Sequence, residues 1–200
     1  MKHTERSDQE IVELALQGRE SAYRELLRRY ERPVLSLIFR IVRDRELAED
    51  LAQDTFVKVL NALDRYKPEF KFSSWIFKIA HNTALDALRR KEVPTLSLDG
   101  APDAVSDAAQ AATRPVVVSE EQSPVDFTAG RELGVHIERA IGQLRPEYRT
   151  AVTLYHIEGF AYEEIAETMD LPLGTVKTFI NRARNELREH LEHVKEGSGL

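Results

Sequence analysis

Apolar residues recur at spacings of three and four along most of this chain, the period of a helix with one buried face. Ile11, Leu14 and Ala15 predict a short first helix that Asp8 caps and Gly18 stops. A longer helix opens at Ser21 and carries Tyr23, Leu26, Leu27 and Tyr30, then Val34, Leu35, Ile38, Phe39 and Val42. Pro33 within it has no N–H to donate, so a kink or restart is expected there. A third helix from about Arg45 to Tyr66 places Leu47, Leu51, Phe56, Val59, Leu60 and Leu63 on one stripe. Its other face holds Glu46, Glu49, Asp50, Gln53 and Asp54. After a loop with Pro68, a fourth helix from Ser73 to Arg90 turns Ile76, Ile79, Ala80, Thr83, Ala84 and Leu88 inward.

The helical period then lapses. Residues 93–130 carry Pro94, Pro102, Pro115 and Pro124 among many Ala and Ser, a composition that predicts a flexible linker. A structureless stretch of that length is rare inside one compact domain, so two units are expected. Their boundaries fall at 1–92 and 131–195, with the linker at 93–130 and a tail at 196–200. Helical spacing resumes near Ala129 with Leu133, Ile137 and Ile141. Pro146 starts the next helix at its first turn, where the missing N–H costs little. That helix bears Ala151, Val152, Leu154 and Tyr155 and ends before Glu158-Gly159-Phe160. The fold predicted is all-α, with two small helical domains on a tether.

The segment YEEIAETMDLPLGTVKTFINRARNELREHL reads as a helix from Tyr162 to Met169, a turn from Asp170 to Leu173, and a long helix beginning at Thr175, its N-cap. That is a helix-turn-helix, with Ile165, Ala166, Leu171, Val176 and Ile180 at the crossing. Lys177, Thr178, Asn181, Arg182 and Arg184 are left pointing outward, a mixture suited to clamping phosphates and bonding base edges.

Charge sharpens this picture. The chain of 200 residues is 42% hydrophobic and 31% charged with a net charge of -6, which by itself argues mildly against nucleic-acid binding. The charge is unevenly placed, however. Residues 21–92 hold 15 basic against 11 acidic side chains, and residues 93–130 hold 1 against 6. From Leu173 to Arg188, four basic residues face Glu186 alone, which concentrates positive potential on one helix. The chain contains no Cys, so disulfides, thiolate zinc sites and cysteine nucleophiles are excluded. The polar start MKHTERSDQE and the lack of an apolar run near 20 residues predict a cytoplasmic protein without membrane insertion.

No constellation for catalysis, no cofactor motif and no metal site is found. His190 and His193 share a helix face without a third ligand, His81 near Asp86 has no nucleophile beside it, and the glycines form no phosphate-cradling loop.

Three stretches together resemble the bacterial sigma-70-type initiation factors of the extracytoplasmic-function (ECF) subgroup. They are SAYRELLRRYERPVLSLIFRIVRDRELAEDLAQDTFVKVL, FKFSSWIFKIAHNTALDALRR and IGQLRPEYRTAVTLYHIEGFAYEEIAETMDLPLGTVKTFINRARNELR, in that order around the acidic linker. The resemblance implies a sigma region 2 bundle in the first unit and a sigma region 4 helix-turn-helix in the second. It implies that Asp50, Leu51, Gln53, Asp54, Phe56 and Leu60 dock on the β′ coiled coil of core RNA polymerase.

By the same resemblance, Phe70, Lys71, Ser74, Trp75, Lys78, Asn82, Asp86, Arg89 and Arg90 read and open the promoter -10 element; core packing is an equal expectation for Phe72 and Trp75. Thr175, Lys177, Thr178, Phe179, Asn181, Arg182 and Arg184 take the -35 duplex, with Arg149 as a further phosphate contact, and region 4 also docks on the β flap. The partners implied are core polymerase, promoter DNA and a dedicated anti-sigma factor, and the acidic linker is expected to thread the RNA-exit path. Val116, Val117 and Val118 in that linker form an apolar trio suited to touching a partner. Two other classes remain open at this point: a helix-turn-helix regulator acting without polymerase, and a sigma-mimicking module that only binds an anti-sigma factor.

Overall fold

The computed structural model describes residues 6–92 and 124–198, with side chains for 6–91 and 134–192. Among these residues every regular element is helical. Ser7 opens α1 (Asp8–Leu16): its hydroxyl accepts the Glu10 amide, and the Glu10 carboxylate accepts the Ser7 amide at 2.7 Å. Asp8 is therefore not the cap. With the first amides satisfied by Ser7, its carboxylate accepts instead from the Tyr30 hydroxyl and, at 2.8 Å, from Arg29.

α2 (Glu20–Val42) begins one residue before Ser21 and passes through Pro33 without restarting. An interior proline costs about 3 kcal/mol in an isolated helix. Here Leu26, Tyr30, Val34, Leu37, Ile38 and Ile41 are buried against α1, α3 and α4, and that burial outweighs the lost bond. Arg43 ends the helix in the left-handed region, φ 60°, with its amide on the Phe39 carbonyl.

Asp44 caps α3 (Arg45–Asn61) by accepting the Leu47 amide at 3.1 Å. The helix stops short of the expected Tyr66. A 3-10 turn (Leu63–Arg65) follows, which frees the Tyr66 ring to meet Phe72 and Trp75 at 5.4 and 5.5 Å. α4 (Phe72–Glu92) buries Phe72, Ile76, Phe77, Ala80 and Ala84.

α5 (Pro124–Gln143) starts inside the stretch expected to be linker. A proline at the first helical position forfeits no bond, so the Pro124 that looked like a breaker serves as a start. Residues 93–123, including Val116 to Val118, lie outside the described residues. α6 (Pro146–His156) opens on proline as expected, and α7 (Tyr162–Met169) ends at Asp170, φ 56°. α8 (Leu173–Ser198) begins two residues ahead of Thr175 and runs on into the expected tail. Thr175 is thus no cap: the Pro172 carbonyl receives the amides of Thr175 (2.9 Å) and Val176 (3.2 Å). Ile165, Val176 and Ile180 are fully buried at the crossing of α7 and α8, and Ile141, Leu144, Tyr148, Val152 and Ala183 form a smaller cluster beside it.

The two units pack on each other, α6 against α2 and α7 against α4. Arg149 of α6 donates to the carbonyls of Arg40 (2.9 Å) and Ile41 (3.0 Å), which the end of α2 leaves unpaired, and to its own unit at Leu144 (2.8 Å). Its guanidinium is spent there and does not face DNA as the sequence suggested. Arg40 pairs with Glu138 of α5 at 2.5 Å.

Two stability measurements follow. Arg149→Ala strands the carbonyls at the end of α2 and is expected to lower unfolding free energy by about 1.5–3 kcal/mol in urea titration, the range for bonds to a charged group. His81 of α4 is buried without a partner for Nδ1, and burial holds its pKa down to about 4 against an ordinary 6.5. The unfolded imidazole therefore takes up a proton before the folded one, so stability falls as pH drops from 6.5 toward 4. The loss is about 2 kcal/mol between pH 7.5 and 5, and His81→Leu is expected to abolish that share of it.

Candidate protein and nucleic-acid interfaces

α3 divides cleanly along its length. Ala48, Leu51, Ala52, Thr55 and Val59 are buried, while Glu46, Asp50, Gln53, Asp54, Val57, Leu60 and Asn61 form one exposed stripe at helical spacing. Of the six residues expected at the polymerase, Asp50, Gln53, Asp54 and Leu60 lie on that stripe. Phe56 is half-buried, and Leu51 at 8% exposure belongs to the core. Sequence reasoning missed Val57, at 57% the most exposed large apolar residue among the described residues, although it sits seven positions after Asp50 and so on the same face. Among the described residues none of Glu46, Asp50 and Asp54 has an ion-pair partner, so the stripe is three free carboxylates edged by Val57 and Leu60.

The approach to α4 is held by aromatic packing. The Tyr66 hydroxyl donates to the Phe70 carbonyl at 2.7 Å, and Tyr30, Tyr66, Phe72 and Trp75 pack ring on ring. Phe70 is left 47% exposed. Trp75 is half-buried in the cluster, and Phe72 is wholly a core residue. Ser74 is buried with no partner for its hydroxyl, because α7 lies over that turn of the helix. Farther along, Lys78, Asn82, Asp86 and Arg89 share one outward face, with Arg90 exposed beside it and Asp86 paired to Arg89 at 3.3 Å. Lys71 and Lys78 are each engaged by a carboxylate of the second unit, Glu164 at 2.6 Å and Asp170 at 3.5 Å.

On α8 the side chains sort into two groups. Lys177, Thr178, Asn181 and Arg184 share the solvent face with Asn185 and Arg188, of which Asn185 went unnoticed in the sequence. Thr175, Phe179 and Arg182 lie on the flank beside it, Thr175 and Phe179 half-buried and Arg182 exposed. Phe179 packs on Tyr148 with ring centroids 5.1 Å apart, and Arg182 donates to the Tyr148 hydroxyl at 3.3 Å. Phe179 is thus a packing residue. Arg182 and Arg145 together hold the Tyr148 phenol below its usual range. Arg184 lies over the Tyr155 ring at 5.2 Å and donates to His156 at 3.3 Å, which fixes a guanidinium at the edge of the exposed face. Burial and the Arg184 charge keep His156 below its ordinary value. Among the described residues no three His, Asp or Glu side chains converge as metal ligands.

An acidic-apolar helix face, an aromatic-basic helix and a helix-turn-helix with a basic outer face make an all-helical protein whose surfaces are chemically suited to a protein partner and to nucleic acid. The particular family follows from comparison: residues 26–93 match Sigma-70 region 2 and residues 135–187 match Sigma-70, region 4. The RNA polymerase sigma-H factor of Pseudomonas aeruginosa is 33% identical over 190 residues, covering 94% of this chain and 96% of the relative. The ECF RNA polymerase sigma factor SigW of Bacillus subtilis is 31% identical over 182 residues, covering 88% and 92%. Among solved structures, the sigma factor RpoE of Bartonella quintana, in complex with the anti-sigma factor NepR, shares the fold with a TM-score of 0.62 and 23% identity, covering 85% of this chain and 96% of that one. The chain belongs to the sigma-70 family, in its ECF group.

The division of α8 is testable by calorimetry and DNA binding in parallel. Phe179→Ala opens a gap beside Tyr148 and is expected to destabilise the second unit by about 2 kcal/mol. Asn181→Ala changes stability by less than about 0.5 kcal/mol, and any effect it has falls on DNA binding.

Proposed function

We propose that this chain is a sigma factor that binds core RNA polymerase and directs promoter-specific initiation, with the first unit working at the -10 element and the second at the -35 element. The observation that carries the reading is the pairing of a sigma region 2 unit, whose α3 keeps an unpartnered acidic-apolar stripe, with a sigma region 4 helix-turn-helix whose exposed face is basic. In this reading Asp50, Gln53, Asp54, Val57 and Leu60 dock on the β′ coiled coil. Carboxylates set direction and rate of encounter, and the two apolar side chains contribute the desolvated centre of the contact.

Phe70, Lys78, Asn82, Arg89 and Arg90 engage the single strand as it opens, the aromatic ring by stacking and the cations through phosphates. Lys177, Thr178, Asn181 and Arg184 enter the major groove of the -35 duplex, with Arg182 at the groove edge. Region 4 also meets the β flap. The factor acts in the cytoplasm, and a dedicated anti-sigma factor restrains it; the Bartonella quintana factor of like fold was solved in complex with the anti-sigma factor NepR. As a member of an initiation-factor family it assists the polymerase, whose own chemistry makes the transcript.

Run-off transcription by purified core polymerase on a promoter library tests this. The chain is expected to yield promoter-specific transcripts that the Asp50→Lys, Asp54→Lys double variant loses by at least about tenfold, the effect of a 1.4 kcal/mol docking defect. No transcript from any template, with DNA binding intact, leaves a regulator that works without polymerase.

A further inference from the structure

Where α6 ends beside α8, side chains from three helices meet at the surface. Arg184 of α8 lies over the Tyr155 ring at 5.2 Å and donates from Nε to Nε2 of His156 at 3.3 Å. The His156 ring stands perpendicular to Tyr155 with centroids 4.7 Å apart, and Tyr162 of α7 stacks on Tyr155 at 4.9 Å. These four side chains are exposed or half-buried, while α6 and α8 are joined beneath them by the buried cluster that holds Val152 and Ala183. The fold is thus held from inside, and loss of a contact at such a surface changes stability little.

What this corner fixes is a direction. A free arginine samples many rotamers, and a guanidinium already laid on a ring and tied at Nε gives up less freedom when it binds. With the Nε–H spent on His156, Nη1 and Nη2 remain as a fork, the end that grips two oxygens of one phosphodiester. His156 accepts only while Nε2 is unprotonated. Burial and the Arg184 charge hold its pKa below the ordinary 6.5, so the acceptor is present at neutral pH. Arg184 comes eleven residues after the start of α8, about 16 Å along its axis. In a helix-turn-helix the base edges are met by the first turns of the second helix. Arg184 is therefore placed for the phosphate wall of the groove.

We propose that Tyr155 and His156 are positioning residues for Arg184, holding its guanidinium as a preset fork for one backbone phosphate beside the -35 element. This rests on the reading that α8 carries DNA contacts and deepens it, by assigning Arg184 to affinity rather than to sequence preference.

Two readouts on the full chain separate the holding of Arg184 from its use. In the first, NMR follows solvent exchange of the Arg184 Nε–Hε proton, identified by its loss in Arg184→Lys. Exchange is expected to be slow in the wild-type chain, fast in His156→Leu and slow again in His156→Gln, whose side-chain oxygen accepts in place of Nε2. In the second, anisotropy measures binding to a fluorescein-labelled duplex pool of random sequence between about 50 and 200 mM salt. Arg184→Ala is expected to weaken binding and to lower the salt slope by about one, the mark of a lost phosphate contact. His156→Leu and Tyr155→Leu remove no charge at about pH 7.5, so they are expected to weaken binding about threefold or more with the slope unchanged. His156→Gln and Tyr155→Phe restore it. Circular dichroism is expected to show equal melting for all of these variants, which a merely structural role would not give. Fast Hε exchange in the wild-type chain overturns the proposal, as does wild-type affinity in His156→Leu or a loss that Gln does not rescue. An Arg184→Ala variant with wild-type affinity and slope, its Hε still slow in the parent, overturns the reading that α8 meets DNA and the proposed use with it. Fast exchange with the Arg184→Ala slope effect present removes the positioning alone.

Discussion

Burial of the long α2 helix organises the molecule. Its 23 residues present Leu26, Tyr30, Val34, Leu37, Ile38 and Ile41 to α1, α3 and α4, and its carbonyl end to Arg149 of the second unit. An interior proline and a left-handed arginine at the terminus both work against this helix, and both persist because packing on several sides outweighs them. The positions of α3 and α4, and so of the faces they expose, follow from how each lies against α2.

Each functional face is the residue of a packing decision. α3 gives one side to the core and has Asp50, Asp54, Val57 and Leu60 left over; α8 gives Val176, Ile180 and Ala183 to α6 and α7 and has Lys177, Asn181 and Arg184 left over. α4 differs, since it is covered on both sides along its first half and exposes a stripe only from Lys78 onward. The same helix thus has to serve the core of its own unit, the contact with α7 and, in the proposed function, DNA.

Helix existence and the helix-turn-helix were legible from periodicity and local chemistry. α6 starts at the predicted proline, α7 has its predicted limits, and Ile165, Val176 and Ile180 meet at the predicted crossing. The errors cluster where two local solutions compete. Ser7 and Asp8 can each cap α1, Pro172 and Thr175 can each begin α8, and Pro124 can end a loop or start a helix. Local preference does not separate such neighbours, and the backbone bonds actually formed do.

What the sequence by itself determined is the set of short-range facts: which segments are helical, where charge concentrates, and which side chains are chemically able to hold a phosphate or a carboxylate. These depend on spacing of three and four residues, which the chain carries in its own order. Only the tertiary structure decided which of those side chains are free. Arg149 reads as a phosphate ligand but is consumed by carbonyls 108 and 109 residues earlier, Phe179 reads as a base contact but packs beside Tyr148, and Lys71 and Lys78 each lie against a carboxylate of the second unit. Those partners lie far away along the chain, and a side chain's availability depends on what folding brings against it.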